Sequence, residues 1–193
     1  MCGGRGTRLG SRVEKPLVEV CGTPMVDRVL DALGASRVAS NGGEVHAVVS
    51  PDTPATREHL AARSRRDCTV VDALGEGYVA DLGYALERVE PPVLTVVADL
   101  PLLAPEVVDR VLDDATRPEH RGDSVTVCIP AAVKRALGAS VDTSFESEGT
   151  ELVPTGLNVV GGSDDHLFRS HDVRLSVNVN RPADHRLAEE LCD

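Results

Sequence analysis

The sequence predicts an α/β fold, a mainly parallel sheet with helices on both faces. Two observations carry this expectation. Short apolar runs at 45–49, 69–71, 93–98 and 125–129 have the length and continuity of strands buried on both faces. Between them lie apolar stripes at helical spacing. One stripe is Met25, Val26, Val29, Leu30 and Leu33; a second is Tyr78, Val79, Leu82, Leu86 and Val89; a third is Val107, Val108, Val111 and Leu112. With 193 residues and 41% hydrophobic content, the chain reads as one domain, 1–193, with a sizeable core. Aromatics are only 2% and Trp is absent, so that core is built from Val, Leu and Ala.

Taken in order, the elements begin with an anomaly. A glycine-rich loop starts at Cys2, whereas in an α/β fold such a loop follows a first strand. No room remains for that strand. The sequence favours a start lying downstream of the native one over a sheet that lacks its central strand, whose loss would be severely destabilising. Helix starts are marked at Thr23-Pro24 and Thr53-Pro54, each a capping hydroxyl followed by proline at the first helical position. Residues 138–150 are polar and turn-rich and read as a loop, and 174–191 read as a strand followed by a helix.

Composition excludes several classes. Acidic residues outnumber basic ones 31 to 20, a net charge of -11, which argues against a basic patch for nucleic acid. Lys15 and Lys134 are the only lysines. An acidic, lysine-poor surface suits a salt-rich cytoplasm that screens self-repulsion, a halophile signature; a GC-rich genome also favours Arg over Lys. The five cysteines are odd in number, far apart and form no CxxC pair, so reduced thiols in a cytoplasmic protein are expected, without disulfide or zinc site. The six histidines show no metal-ligand spacing, and His166 and His171 read as loop residues. Nothing resembles a signal peptide, and no apolar run is long enough to span a bilayer.

The chemistry concentrates at the first loop. Gly3, Gly4, Gly6 and Gly10 let the backbone turn and approach phosphate oxygens, while Arg5, Arg8 and Lys15 can neutralise a triphosphate. The spacing is neither a Walker loop nor a GxGxxG fingerprint. A flexible glycine turn with solvated arginines is the plain alternative. Lys15 weighs against it, because a chain that almost always chooses Arg keeps a compact ammonium here.

Asp99 ends the run 93–98, where ligands of open α/β sheets bind, and its carboxylate can hold Mg²⁺ or merely cap the turn at Leu100-Pro101. Asp52 and Asp72 follow two other runs at the same sheet edge. Asp72 can accept bonds from guanine N1–H and its 2-amino group, or simply be solvated. Gly156, in the segment Thr155-Gly156-Leu157-Asn158, allows close approach to a substrate or marks a glycine bulge. Asn178 and Asn180 alternate and so share a face, either at a site or at a turn before Pro182.

With GGRGTRLG followed by EKPL, the chain resembles the guanylyltransferase branch of the MobA-like nucleotidyltransferases, which includes the molybdenum-cofactor guanylyltransferases. More closely it resembles the archaeal GTP:adenosylcobinamide-phosphate guanylyltransferases, the CobY family. The segments EKPLVEVCGTPMVDRVL, SPDTPATREHL, VVDALGEGYVADL, VVADLPLL, LVPTGLNVVGG and SVNVNRPAD carry the resemblance over nearly the whole chain. It implies a Rossmann-like nucleotidyltransferase fold. GTP would bind, together with Mg²⁺ as cofactor, through Gly3, Gly4, Arg5, Gly6, Thr7, Lys15, Asp52 and Asp72 for the nucleotide. Lys15, Arg8 and Asp99 would be catalytic, with Asp99 on the metal. Gly156, Asn158, Asn178 and Asn180 would face the second substrate, adenosylcobinamide phosphate. The resemblance allows a homodimer. The rivals are a molybdenum-cofactor guanylyltransferase, a sugar-phosphate nucleotidyltransferase and, in a different class, a GTP-binding regulatory module without catalysis.

Overall fold

The computed structural model describes residues 1–4, 6–63, 68–162 and 164–192. A single 3-10 turn, Lys15–Leu17, precedes a short hairpin of β1 (Glu19–Val20) and β2 (Thr23–Pro24). Then follow α1 (Met25–Ala35), α2 (Arg37–Ser40), β3 (His46–Val49), α3 (Pro54–Ala62), β4 (Thr69–Asp72) and α4 (Tyr78–Leu86). The second half comprises β5 (Val93–Val96), α5 (Pro105–Ala115), β6 (Ser124–Pro130), α6 (Ala131–Leu137), β7 (Phe145–Ser147), β8 (Thr150–Val160), β9 (Asp165–Arg169), a 3-10 turn Val173–Leu175 and α7 (Pro182–Leu191). None of the described helices is long and apolar enough to cross a membrane.

The α/β class is as the alternating runs predict, and the sheet is mixed. β3 and β4 pair in parallel, with Val49 opposite Asp72. The larger sheet has the order β5-β8-β6-β9, with β7 also on β8. β8 runs antiparallel to β5 and β6, while β6 and β9 are parallel. The antiparallel strand arrives through a tight β7–β8 hairpin, whose two turn residues, Glu148 (φ 49°) and Gly149 (φ 71°), both take the left-handed conformation such a turn needs. Part of the expected polar loop at 138–150 is therefore strand.

One large apolar core lies between this sheet and two helices. Val29 and Leu33 of α1 and Val107, Val108 and Val111 of α5 pack on Val96, Val125, Val127, Ile129, Leu157 and Val159. Each such side chain contributes roughly 1.5–3 kcal/mol by leaving water. Period-2 alternation in β8 turns Leu157 and Val159 to this core and Gly156 and Asn158 to the opposite face.

The N-terminal residues occupy the place of the expected first strand. The Cys2 amide donates to the Val48 carbonyl at 2.7 Å. The Met1 amino group donates to the Val96 carbonyl at 2.9 Å, and the Ala98 amide donates back to the Met1 carbonyl at 3.1 Å. Two residues of main chain thus run between β3 and the β5 segment and deliver the glycine loop to the sheet edge.

Several local expectations are corrected. Thr23 belongs to β2, and Pro24 is the residue that caps α1. Pro54 does open α3, but the Thr53 hydroxyl turns back to the Ser50 carbonyl. The free amides of Ala55 and Thr56 donate instead to the Glu14 carboxylate, at 2.8 and 2.7 Å, so a residue remote in sequence caps the helix. In α4 the buried residues are Asp81 and Ala85, whereas Val79 is 81% exposed. The helix turns a carboxylate inward to hold the preceding loop, which leaves Tyr78 and Val79 exposed and Leu82 and Leu86 half-buried. Residues 177–181 lie outside any assigned strand and make one ladder-like bond, Val179 amide to Asp99 carbonyl at 2.9 Å, before α7 begins. His166 lies in β9 and bonds to the buried Asp114 carboxylate of α5 at 2.7 Å. Cys21 and Cys192 form a disulfide, against the expectation of reduced thiols, because the β1–β2 turn and the end of α7 meet across 171 residues of sequence. Cys2 and Cys128 are buried and outside any disulfide.

Candidate active site

A cavity of about 490 Å³ opens at the sheet edge where Met1 and Cys2 join β3 to the β5 segment. Gly3 and Gly4 form one wall, Gly75, Glu76, Gly77 and Tyr78 another, and Lys15 and Asp99 the floor. Ser50, Asp52 and Asp81 complete the lining. Four carboxylates, of Asp52, Glu76, Asp81 and Asp99, line it together with the Lys15 ammonium.

The 3-10 turn places Lys15. Proline at its second position fixes the local φ, and Glu14, bound to the start of α3, anchors the chain just before it. Burial opposes ionisation of Glu14, yet the bonds from Thr56 and Ala55 hold its carboxyl below the usual value. Lys15 Nζ donates to Asp99 Oδ2 at 2.5 Å and to Asn180 Oδ1 at 2.7 Å. The Lys15 and Asp99 side chains are 13% and 18% exposed, so the pair is largely withdrawn from water. Asn178 Nδ2 donates to Asp99 Oδ1 at 3.2 Å and to the Thr155 carbonyl at 2.9 Å. Lys15, Asp99, Asn178 and Asn180, from three separate parts of the sequence, form one network.

The remaining candidates divide. Gly3, Gly4 and Asp52 line the cavity. Gly6 supports Lys15: at φ +64° a Cβ would lie 2.7 Å from Lys15 Cβ, so only glycine lets the lysine fold back over the loop. Arg5 lies outside the described residues. Thr7 is exposed in a turn. Arg8 is drawn away from the lining by Asp142, at 2.8 Å, which also binds Arg181. Asp72 is not brought to the cavity either: Arg57 takes both its oxygens, at 2.6 and 3.0 Å, and keeps its pKa low. Gly156 meets Val97, whose Cγ2 would stand 2.5 Å from an added Cβ, so its left-handed φ of +83° serves a close strand approach. Asn158 sits mid-sheet opposite Thr95 and Thr126, its buried Oδ1 without a hydrogen-bond partner.

Sequence reasoning missed Lys134, Asp81 and Tyr78. Lys134 is 3% exposed and donates to Asn178 Oδ1 at 3.1 Å. Burial lowers its pKa, while Asp184, Asp99 and Asp142 pull it up. The scarcity that singled out Lys15 applies equally to Lys134: both lysines of the chain converge on one network. Asp81, buried within an apolar stripe, accepts from the Gly75 amide at 2.9 Å and shapes the Gly75–Gly77 wall. Tyr78 borders the same wall, and burial, with the nearby Asp99 charge, raises its phenol pKa.

The donor set suits a hard divalent cation. Asp99 Oδ2 and Asn180 Oδ1 both face the Lys15 ammonium, which shows that two oxygens already converge on positive charge. Carboxylate and amide oxygens, with no thiol or imidazole in the network, are a Mg²⁺-type set.

Comparisons with known proteins bear on the family and the fold. Residues 1–147 match the family model of the MobA-like NTP transferase domain. The chain is 32% identical over 202 residues to adenosylcobinamide-phosphate guanylyltransferase from Methanocaldococcus jannaschii, covering 99% of this chain and 94% of that protein. It is 30% identical over 160 residues to a Thermococcus gammatolerans protein described as a molybdenum cofactor guanylyltransferase, covering 81% and 74% of the two chains. In fold it is similar to a Bacillus anthracis protein described as a glucose-1-phosphate thymidylyltransferase, with TM-score 0.70, 9% identity, and 99% and 92% coverage.

Proposed function

Because the chain belongs to the MobA-like NTP transferase family and is a nucleotidyltransferase, we propose that it transfers GMP from GTP to adenosylcobinamide phosphate, giving adenosylcobinamide-GDP and pyrophosphate. The observation that carries the proposal is the Lys15–Asp99–Asn180 cluster on the floor of a glycine-walled cavity.

The acceptor phosphate is already anionic, so no general base is needed. Its oxygen forms a bond to the α-phosphorus of GTP as the bond to the pyrophosphate oxygen breaks in line. Positioning and charge neutralisation then account for catalysis. The backbone at Gly3 and Gly4 approaches the triphosphate closely. Lys15 supplies a compact positive charge to the phosphates. Asp99 and Asn180 would hold Mg²⁺, which would supply neutralisation of charge on the phosphate oxygens. Arg8, freed from Asp142, reaches the same anion. Glu76, at the tip of a turn between two left-handed glycines (φ 78° and 109°), replaces Asp72 as the carboxylate suited to guanine N1–H and its 2-amino group.

Pyrophosphate release from GTP, measured with cobinamide phosphate, with molybdopterin and with no acceptor, tests the assignment. Release only with cobinamide phosphate is expected. Release only with molybdopterin would move the chain to the molybdenum branch, and none with any acceptor would favour a regulatory GTP-binding module. Asp99→Ala is expected to lower kcat by about 10³-fold or more; full activity in Mg²⁺ would refute the role of Asp99.

A further inference from the structure

The two asparagines of the Asn178-Val179-Asn180 segment share a face but present opposite ends of their amides. Asn180 turns its carbonyl oxygen to Lys15. Asn178 turns its NH₂ to Asp99 and to the Thr155 carbonyl. A side-chain amide has one acceptor end and one two-proton donor end, so the neighbours decide its orientation. For Asn178 the acceptor end meets Lys134 Nζ at 3.1 Å. Lys134 is buried, on α6, which follows β6 directly and ends at Gly138 (φ 78°).

We infer that Lys134 is a positioning residue: it holds the Asn178 amide as a donor to Asp99 Oδ1, so that Asp99 Oδ2 and the Asn180 carbonyl are the oxygens offered to a cation. Four observations converge on this. Both oxygens of Asp99 are engaged, each by a different partner: Oδ2 by Lys15 and Oδ1 by Asn178. The Asp99 main chain is fixed as well, through the Val179 amide. The segment carrying both asparagines is tied at its far end by Asp184, whose Oδ2 accepts from the Asn180 and Arg181 amides. Lys134 closes the remaining open end, the Asn178 oxygen. Without it, that half-buried acceptor would lose its protein partner and would be free to turn toward any cation bound at Asp99. The carboxylate would then lose the donor that orients it. The division of labour follows: Asn180 is the asparagine that shares the cation, and Asn178 is the one that orients the carboxylate.

This inference rests on the proposed role of Asp99, and its test separates the two. Mn²⁺ affinity in the presence of GTP, read by electron paramagnetic resonance without acceptor, and steady-state turnover are measured for wild type, Lys134→Met, Asn178→Ala, the double variant and Lys134→Gln. Lys134→Met is expected to weaken Mn²⁺ binding and lower kcat by about tenfold each, with KM for GTP within about threefold. Adding it to Asn178→Ala should cost less than about twofold more, because the two act in series. Lys134→Gln, which keeps a donor, should recover most of the loss. Multiplying effects in the double variant would overturn the inference, as would wild-type metal affinity and turnover in Lys134→Met. Should Lys134→Met not fold, Asn178→Ala alone decides: wild-type behaviour of that variant on both readouts overturns the inference. A wild type that binds Mn²⁺ with GTP but does not use cobinamide phosphate would sink the acceptor assignment and leave the Lys134 test standing.

Discussion

Asp72 and Asp99 occupy comparable places, one at the end of β4 and the other just past β5, along the same edge of the molecule. They have different fates. Asp72 is exposed, and the planar guanidinium of Arg57 takes both its oxygens. Asp99 is mostly buried and meets a lysine on one oxygen and an amide on the other. A guanidinium fork consumes a carboxylate, while a point charge leaves it divisible among partners. Position along a strand nominates a carboxylate for chemistry; the shape of its cation decides whether any of it remains for a ligand.

After the loss of Asp99 itself, the largest expected effect comes from erasing that difference. Lys15→Arg would give Asp99 the kind of partner Asp72 has, and the fork would compete with Asn180 and any bound cation. Turnover is expected to fall about tenfold to a hundredfold with folding intact. Paired kinetics and circular dichroism check this, and undiminished kcat would break the comparison.

A smaller effect is expected one step away, at the residue that lets Lys15 take its place. Gly6→Ala introduces a side chain at φ +64° against Lys15 Cβ. A loss of about 1–2 kcal/mol in urea-unfolding stability is expected, with KM for GTP raised about fivefold. Unchanged KM would mean that the lysine is positioned without help from the loop.

The smallest effect belongs to the other carboxylate. Asp72→Asn, at an exposed ion pair, should leave turnover and guanine preference within about twofold, and the unfolding midpoint within about 2 °C. A strong loss of GTP preference would return Asp72 to the guanine contact.

The same contrast explains what could be read from the sequence. Lys15, Asp99, Asn178 and Asn180 were legible because each lies in a short motif whose local geometry decides its direction: a loop, a strand end, an alternating segment. Asp72 was nominated on equal grounds and misplaced, because its partner Arg57 comes from α3 and no local pattern announces the pairing. The sequence leaves Gly156 open between close approach to a substrate and a glycine bulge, and its space is filled by Val97, just past β5 and distant in sequence. Lys134 shows the reverse case. Its rarity was visible, but its reach to Asn178 depends on how α6 packs behind the sheet. The stripe in α4 predicted the helix and not its orientation, since the buried Asp81 sets which side faces inward. The Cys21–Cys192 bond joins segments that only the finished fold brings together.

The junction at Met1 and Cys2 has a mechanical consequence. Among the described residues no ladder pairs β3 or β4 directly with the five-stranded sheet. The two blocks are stitched by a few main-chain bonds from the start of the chain, over an apolar cluster that packs Ala47 and Val49 with Ala98. The cavity straddles that stitch, with Ser50 and Gly75 on one block and Asp99 on the other. A molecule filling it is a rivet through two plates, and its binding free energy resists their separation. Occupancy and rigidity of the whole body are then thermodynamically linked: whatever binds there raises resistance to unfolding in proportion to RT ln(1 + [L]/Kd).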